Sequence, residues 1–224
     1  MGAAASTHQP LGVFDLRRMS SMVKVDLKKE LKHLYRPSAK TVSVVNVPSM
    51  KFLMIDGRGN PNISPQYAQA VEALFALAYA LKFKIKKSGA GVDYAVMPLE
   101  GLWWTEDMSQ FNLNDKEAWQ WTMMIMQPDY ITADLFAKTL PEVEKKRNNS
   151  LLRSVRFEPY HEGTSAQIMH RGSYAEEGPT IAALHDYIVQ NGKKLRGKHH
   201  EIYLNDPRKT QPAKLQTIIR QPFK

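Results

Sequence analysis

A carboxylate beside a phenol on one face of a strand, with indoles close in the chain, is a combination that can activate water or hold a cation. The segment His200 to Leu204 offers such a pair: the two-residue period of a strand puts Glu201 and Tyr203 on one face and Ile202 and Leu204 on the other. If the apolar pair packs under helices, Glu201 and Tyr203 face a cleft. A carboxylate among aromatic rings loses hydration, so its pKa is expected to rise towards that of a general acid or base. Strand parity by itself favours the other outcome, a Glu on a solvated sheet surface, because charged residues are rarely buried.

The aromatic residues that could wall a cleft are Trp103 and Trp104, Trp119 and Trp121, and Tyr160. Trp119 and Trp121 share a strand face that serves core and cleft equally well. Trp103 and Trp104 are expected in a loop that they share with the polar run Thr105 to Asp115, where two adjacent indoles need a partner or a ligand to cover them. His161, His170, His185, His199 and His200 show no metal-ligand spacing, and the reading is of structural histidines and no metal. The Gly57-Arg58-Gly59 stretch lacks the third glycine and the Lys-Ser/Thr of nucleotide loops, and no Gly-x-Ser-x-Gly is present; no cofactor is expected.

The elements that must carry these residues recur. A strand at Lys51–Asp56 leads through Gly57 and Gly59 to Ser64-Pro65, a helix cap followed by a first-turn proline. Val71, Leu74, Phe75, Ala78, Leu81 and Ile85 make one apolar helical stripe, and strands at Val92–Leu99 and Ala118–Gln127 follow. A connector opens at Thr132 and contains Pro141, which predicts a break or kink. The pattern then returns as a strand at Thr164–His170, a helix from Pro179, and strands at His200–Leu204 and Leu215–Gln221. Both halves close alike, on Thr122-Met-Met-Ile-Met-Gln-Pro128 and Gln216-Thr-Ile-Ile-Arg-Gln-Pro222.

The expected fold is therefore α+β: duplicated strand-helix-strand-strand units forming one mostly antiparallel curved sheet, with helices on one face and a ligand cleft on the other. The first repeat spans about 48–128, the connector 129–163 and the second repeat 164–224. Residues 1–40 read as a tail or arm, partly disordered, and 41–224 as the folded domain.

The chain has 224 residues, no cysteine and 31 Lys and Arg against 22 Asp and Glu, a net charge of +9. Without cysteine there is no thiolate nucleophile or disulfide, and a cytoplasmic setting is expected. The charge collects at the ends, with eight Lys and Arg in residues 1–40, and no nucleic-acid motif accompanies it. No apolar run reaches the roughly 20 residues of a membrane span. The expected partner is a small molecule, with neither specific nucleic-acid nor membrane binding, and the expected state is a monomer or weak homodimer.

Four stretches sharpen this: Met97-Pro-Leu-Glu-Gly-Leu-Trp-Trp104, Glu158-Pro-Tyr-His-Glu-Gly163, Gln167-Ile-Met-His-Arg-Gly-Ser-Tyr174 and His200-Glu-Ile-Tyr-Leu-Asn-Asp-Pro207. In this order the chain from Thr41 resembles the GyrI-like small-molecule-binding family, and the paired Trp103 and Trp104 resemble its branch of cyclopropanoid cyclopropyl hydrolases. The resemblance implies a cleft glutamate at Glu201, which reverses the parity argument. It further implies that planar or cationic xenobiotics are held by Trp103, Trp104 and Trp121, and that Glu201, with Tyr203 or Tyr160, opens an activated cyclopropane. A non-catalytic sequestering module, or an effector-binding partner of a transcription factor, is the alternative it leaves.

Overall fold

A computed structural model describes residues 22–108 and 115–224. Residues 1–21 of the expected arm, and part of the expected loop 105–115, lie outside them.

Six strands form a closed antiparallel barrel: β2 (Ser43–Arg58), β4 (Leu99–Trp104), β5 (Gln120–Gln127), β6 (Arg156–Arg171), β7 (His199–Tyr203) and β8 (Gln216–Pro222). Their order is β2-β5-β4-β7-β8-β6, closed by β2 against β6. Each half pairs internally in the same order, and the halves meet at β4–β7 and β2–β6. Closure depends on two strands of 16 residues that continue well past the segments expected from the sequence. In β6 the face turned inwards changes at Gly163, whose φ is +74°. Glu162 and Gln167 lie on opposite sides of that glycine, an odd number of residues apart, and yet both reach Arg220. A regular strand would send them to opposite faces.

Two helices lie on the outer surface of the barrel. In α3 (Pro65–Lys87) the Ser64 hydroxyl accepts from Tyr67 N at 3.3 Å, as the cap at Ser64-Pro65 predicts. Its apolar stripe, including Leu74, Leu77 and Leu81, is buried in the core it shares with Leu53, Ile55, Trp121, Met123 and Ile125. α5 (Gly178–Gln190) buries Ile181, Leu184 and Ile188 against Ala166, Ile168 and Ile219. In α4 (Ala133–Glu144), Thr132 caps Leu135 N at 3.1 Å. Pro141 lies inside this helix without ending it, since Lys145 N still bonds to Pro141 O. No described helix is long and apolar enough to cross a membrane.

From Met22 onwards the segment expected as an arm belongs to the fold. β1 (Val23–Val25) pairs in parallel with β3 (Val92–Tyr94). After it come two single turns, α1 (Leu27–Glu30) and α2 (Lys32–Tyr35), and Leu34 and Tyr35 are fully buried.

What they cover is polar. Tyr35 donates to Glu100 Oε1 at 2.8 Å, and His200 bridges Glu100 and Glu162 at 3.0 Å each. Arg220 reaches Glu162 at 3.2 Å, Gln167 at 3.0 Å and the Leu34 carbonyl at 2.7 Å. His200 and Glu162 sit on strands that do not pair with each other, so this network spans the barrel interior.

Candidate active site

Cross-strand partners share a face, which fixes where the candidate residues point. Glu201 lies opposite Gly101 on β4 and Ile219 on β8, and Trp103 lies opposite both His199 and Trp121. This is the outer face, under the helices: Tyr67 in the first turn of α3 stacks on Trp103 at 6.1 Å, and His185 of α5 meets His199 edge-on at 6.4 Å. The expected parity of β7 is observed, but its sides are reversed. Ile202 faces the barrel interior and Glu201 faces the helices. The physical reason is that closure gives the barrel an interior of its own, which Ile202 helps to fill, so the cleft residues occupy the helix-covered side.

A hydrogen-bonded relay runs across β4 and β7. Trp103 Nε1 donates to the Tyr203 hydroxyl at 3.1 Å, and that hydroxyl donates to Glu201 Oε2 at 2.7 Å. His199 Nε2 lies 3.2 Å from Glu201 Oε1. Glu201 itself is 8 % exposed. Burial opposes its charge, but the hydrogen bonds from His199 and Tyr203 outweigh burial and hold its pKa below the ordinary carboxylate value. Burial and the Glu201 charge together push the Tyr203 phenol well up, so it remains a donor.

The raised pKa expected of Glu201 belongs instead to Glu177. This residue, immediately before α5, is 4 % exposed, and its Oε1 is buried without a hydrogen-bond partner among the described residues. Burial first, then the adjacent Glu201 carboxylate, push it up to about 9. Thr217, opposite Tyr203 in the β7–β8 ladder, lies beside it. Two carboxyl groups thus meet with one ionised and the other protonated at neutral pH. A split of this kind assigns a base and an acid within one site.

Aromatic rings enclose the pair. Trp119 meets Trp103 edge-on at 5.2 Å, Tyr67 meets Trp121 at 5.4 Å, and Tyr174 stands edge-on to Tyr203 at 5.6 Å. Trp121 is fully buried over Gly57, where any side chain would overlap its indole. Tyr174, 40 % exposed, forms the solvent side.

Of the residues singled out from the sequence, Glu201, Tyr203 and Trp103 are brought together, with Trp121 behind them. Trp104 and Tyr160 are not. Trp103 and Trp104 lie in β4 rather than in a loop, so they point to opposite faces. The Trp104 ring is covered by Lys198 Nζ, 3.2 Å from its centroid. Tyr160 packs edge-on to Phe52 at 6.2 Å, near Glu162 and the interior network. Trp119, named beside Trp121 as a possible wall, joins the site against Trp103, and Glu177, His199 and Tyr67 join it without having been singled out for it. A residue just before a Gly-Pro helix start is the one signal that could have drawn attention to Glu177. Among the described residues no group of three or more His, Cys, Asp or Glu is arranged to hold a metal ion.

Gly101 is where the relay is most sensitive to volume. A methyl group there would lie 2.8 Å from Trp103 Nε1 and 3.1 Å from the Tyr203 hydroxyl. Gly101→Ala is expected to displace both, to destabilise the protein by about 1–3 kcal/mol, and to shift the tryptophan emission. Thermal unfolding followed by fluorescence checks this; an unchanged Tm and spectrum would contradict the packing described.

A closed barrel with two helices over a buried acid and aromatic walls is the frame of a small-molecule-binding domain. Residues 40–224 match the GyrI-like small molecule binding domain, and the chain belongs to that family. Among solved structures it is similar to a conserved protein of Listeria innocua at 38 % identity, with a TM-score of 0.83, covering 89 % of this chain and 100 % of that one. It is also similar to two hydrolases from Listeria innocua. One is 37 % identical, with a TM-score of 0.81, and covers 90 % of this chain. The other is 35 % identical, with a TM-score of 0.78, and covers 89 %. Both of those chains are covered completely. No curated protein matches the chain.

Proposed function

We propose that this chain holds planar or cationic compounds between the rings of Trp103, Tyr67, Tyr174 and Tyr203, and hydrolyses those that carry an activated cyclopropane. The observation that carries the reading is the buried pair of an ionised Glu201 and a protonated Glu177 beneath aromatic walls. The two similar hydrolases support a hydrolytic role.

The step follows from these groups. Glu201 accepts a proton from a water molecule as its oxygen attacks a ring carbon. The strained carbon–carbon bond breaks, and its electron pair moves to an electron-withdrawing carbonyl, whose oxygen becomes an oxyanion. Glu177 donates to that oxygen and supplies the proton that completes the addition of water, while the Tyr203 hydroxyl keeps its hydrogen bond to Glu201. Helices α3 and α5 both present their first turns to the site, and the positive ends of their dipoles favour the Glu201 charge. We further assign the matching strand order of the two halves to a duplicated strand-helix-strand-strand unit.

Incubation with a cyclopropane-bearing alkylating compound, followed by mass spectrometry, tests the reading. The expected product is the compound plus one water. Recovery of unchanged compound, with binding seen by fluorescence quenching, would replace it with a sequestering role in which Glu201 acts as a counter-charge to a cation held by the rings.

A further inference from the structure

Three aromatic rings follow one another at four-residue spacing along α3: Phe75, partly buried against the core, and then Tyr79 and Phe83, which turn outwards. Their centroids are 6.3 and 6.5 Å apart and their planes incline by 31° and 27°, so they form a continuous ladder along the helix. Tyr79 is 47 % exposed and Phe83 is 49 % exposed. The opposite face of the helix, with Ala70, Leu74, Leu77 and Leu81, is already buried against the barrel. Two exposed rings that continue from a core-packed one, on a helix that already has a full core face, call for a partner.

The charges at its two ends identify one. Glu72 stands one helical turn before Phe75, and Lys82 and Lys86 flank Phe83. Lys82 and Lys86 share the single carboxylate of Asp93, at 3.3 and 2.7 Å, which leaves an excess of positive charge there. If two copies of α3 cross antiparallel with Tyr79 on the two-fold axis, Phe75 of each meets Phe83 of the other and Glu72 of each meets Lys86 of the other. We propose that this face is an isologous homodimer interface, closed by one two-fold axis. An anionic surface suits it less well, because Glu72 at the other end of the ladder would be repelled.

The interface is independent of the hydrolytic reading and is tested without substrate. Light scattering coupled to size exclusion should give a dimer at micromolar concentrations. Tyr79→Glu, shown to be folded by circular dichroism, should raise the dissociation constant at least 100-fold. The chain has no cysteine, so Tyr79→Cys isolates one thiol on the axis. A short bismaleimide should link two copies through it and should not link Arg208→Cys, an exposed control elsewhere on the surface. A monomeric native chain, a dimer indifferent to Tyr79→Glu, equal cross-linking of the control, or binding of a monomer to anionic vesicles through Phe83 would each overturn the proposal.

Discussion

Glu201→Gln is expected to lower turnover of a cyclopropane-bearing substrate by roughly 10²- to 10⁴-fold, with the fold retained. Glutamine keeps the shape and one acceptor oxygen, so Tyr203 and Trp103 can hold their places, but it cannot accept the proton of an attacking water. Substrate binding, read by quenching of the surrounding indoles, should change far less than turnover. Glu177→Gln separates the second carboxyl from the first. In the native protein Glu177 must be protonated, and its pKa is raised to about 9, so activity should be present below that pH and be lost as pH rises through it. The amide cannot titrate. The variant should therefore be slow at neutral pH and should lack the alkaline limb near pH 9. Glu201 sets the opposite limb: its lowered pKa keeps it ionised well into acid, so the fall on that side should come below the ordinary carboxylate range. Full turnover by Glu201→Gln, or an alkaline limb that survives in Glu177→Gln, would remove these roles.

Local chemistry was the legible part of this fold. The Ser64 and Thr132 caps are hydrogen bonds made within three residues of chain, and the sequence shows both partners. The helix of the second half and its last two strands were bounded by Gly, Pro and Asp, which act locally as well. The strand β4 was not visible as a strand beyond Leu99. It is buried on both faces, with Glu100 pointing inwards and Gly101 and Trp103 outwards, so neither face gives an apolar alternation. Reading Trp103 and Trp104 as a loop followed from that, and with it the error of placing both indoles in one site.

The candidate site was legible in its acid but not in its electrostatics. Strand parity correctly joined Glu201 to Tyr203, because that relation depends on two neighbouring residues. Which side they face depends on whether the sheet closes, and closure is decided by the pairing of β2 with β6 over long sequence separation. Glu177 lies further out of reach. Its burial and its proton are consequences of where the start of α5 sits above β7, and no local pattern encodes that distance. Desolvation was the right force to invoke, but it acts on the carboxyl with an orphan oxygen rather than on the one held by His199 and Tyr203.

Arg220→Met should be the most destabilising single change in the barrel. The guanidinium is fully buried and joins Glu162, Gln167 and the Leu34 carbonyl. Removing it leaves the Glu162 carboxylate paired only with His200 and frees a backbone acceptor of α2. Breaking a buried pair from one side costs about 3–5 kcal/mol, or roughly 10 °C in Tm for a chain of this size. Backbone amides near Leu34 and Tyr35 should lose hydrogen-exchange protection first, because the arginine ties that turn to the barrel. The same network sets the dependence of stability on pH. Burial disfavours charge on His200, but Glu162 and Glu100 prevail and raise it from 6.5 to about 9. Its contribution is therefore complete below pH 6.5 and is lost as pH rises through 9. Glu162 is likewise desolvated, yet His200 and Arg220 lower it from 4.5 to about 2. Its contribution is complete above pH 4.5 and disappears as pH falls towards 2. Stability from this network should be greatest between pH 4.5 and 6.5, and denaturant titrations across pH should show the plateau. In Arg220→Met the acid shoulder should move upwards, since Glu162 has lost one of the two cations that hold it ionised. A shoulder unmoved by the substitution would mean that His200 alone governs Glu162.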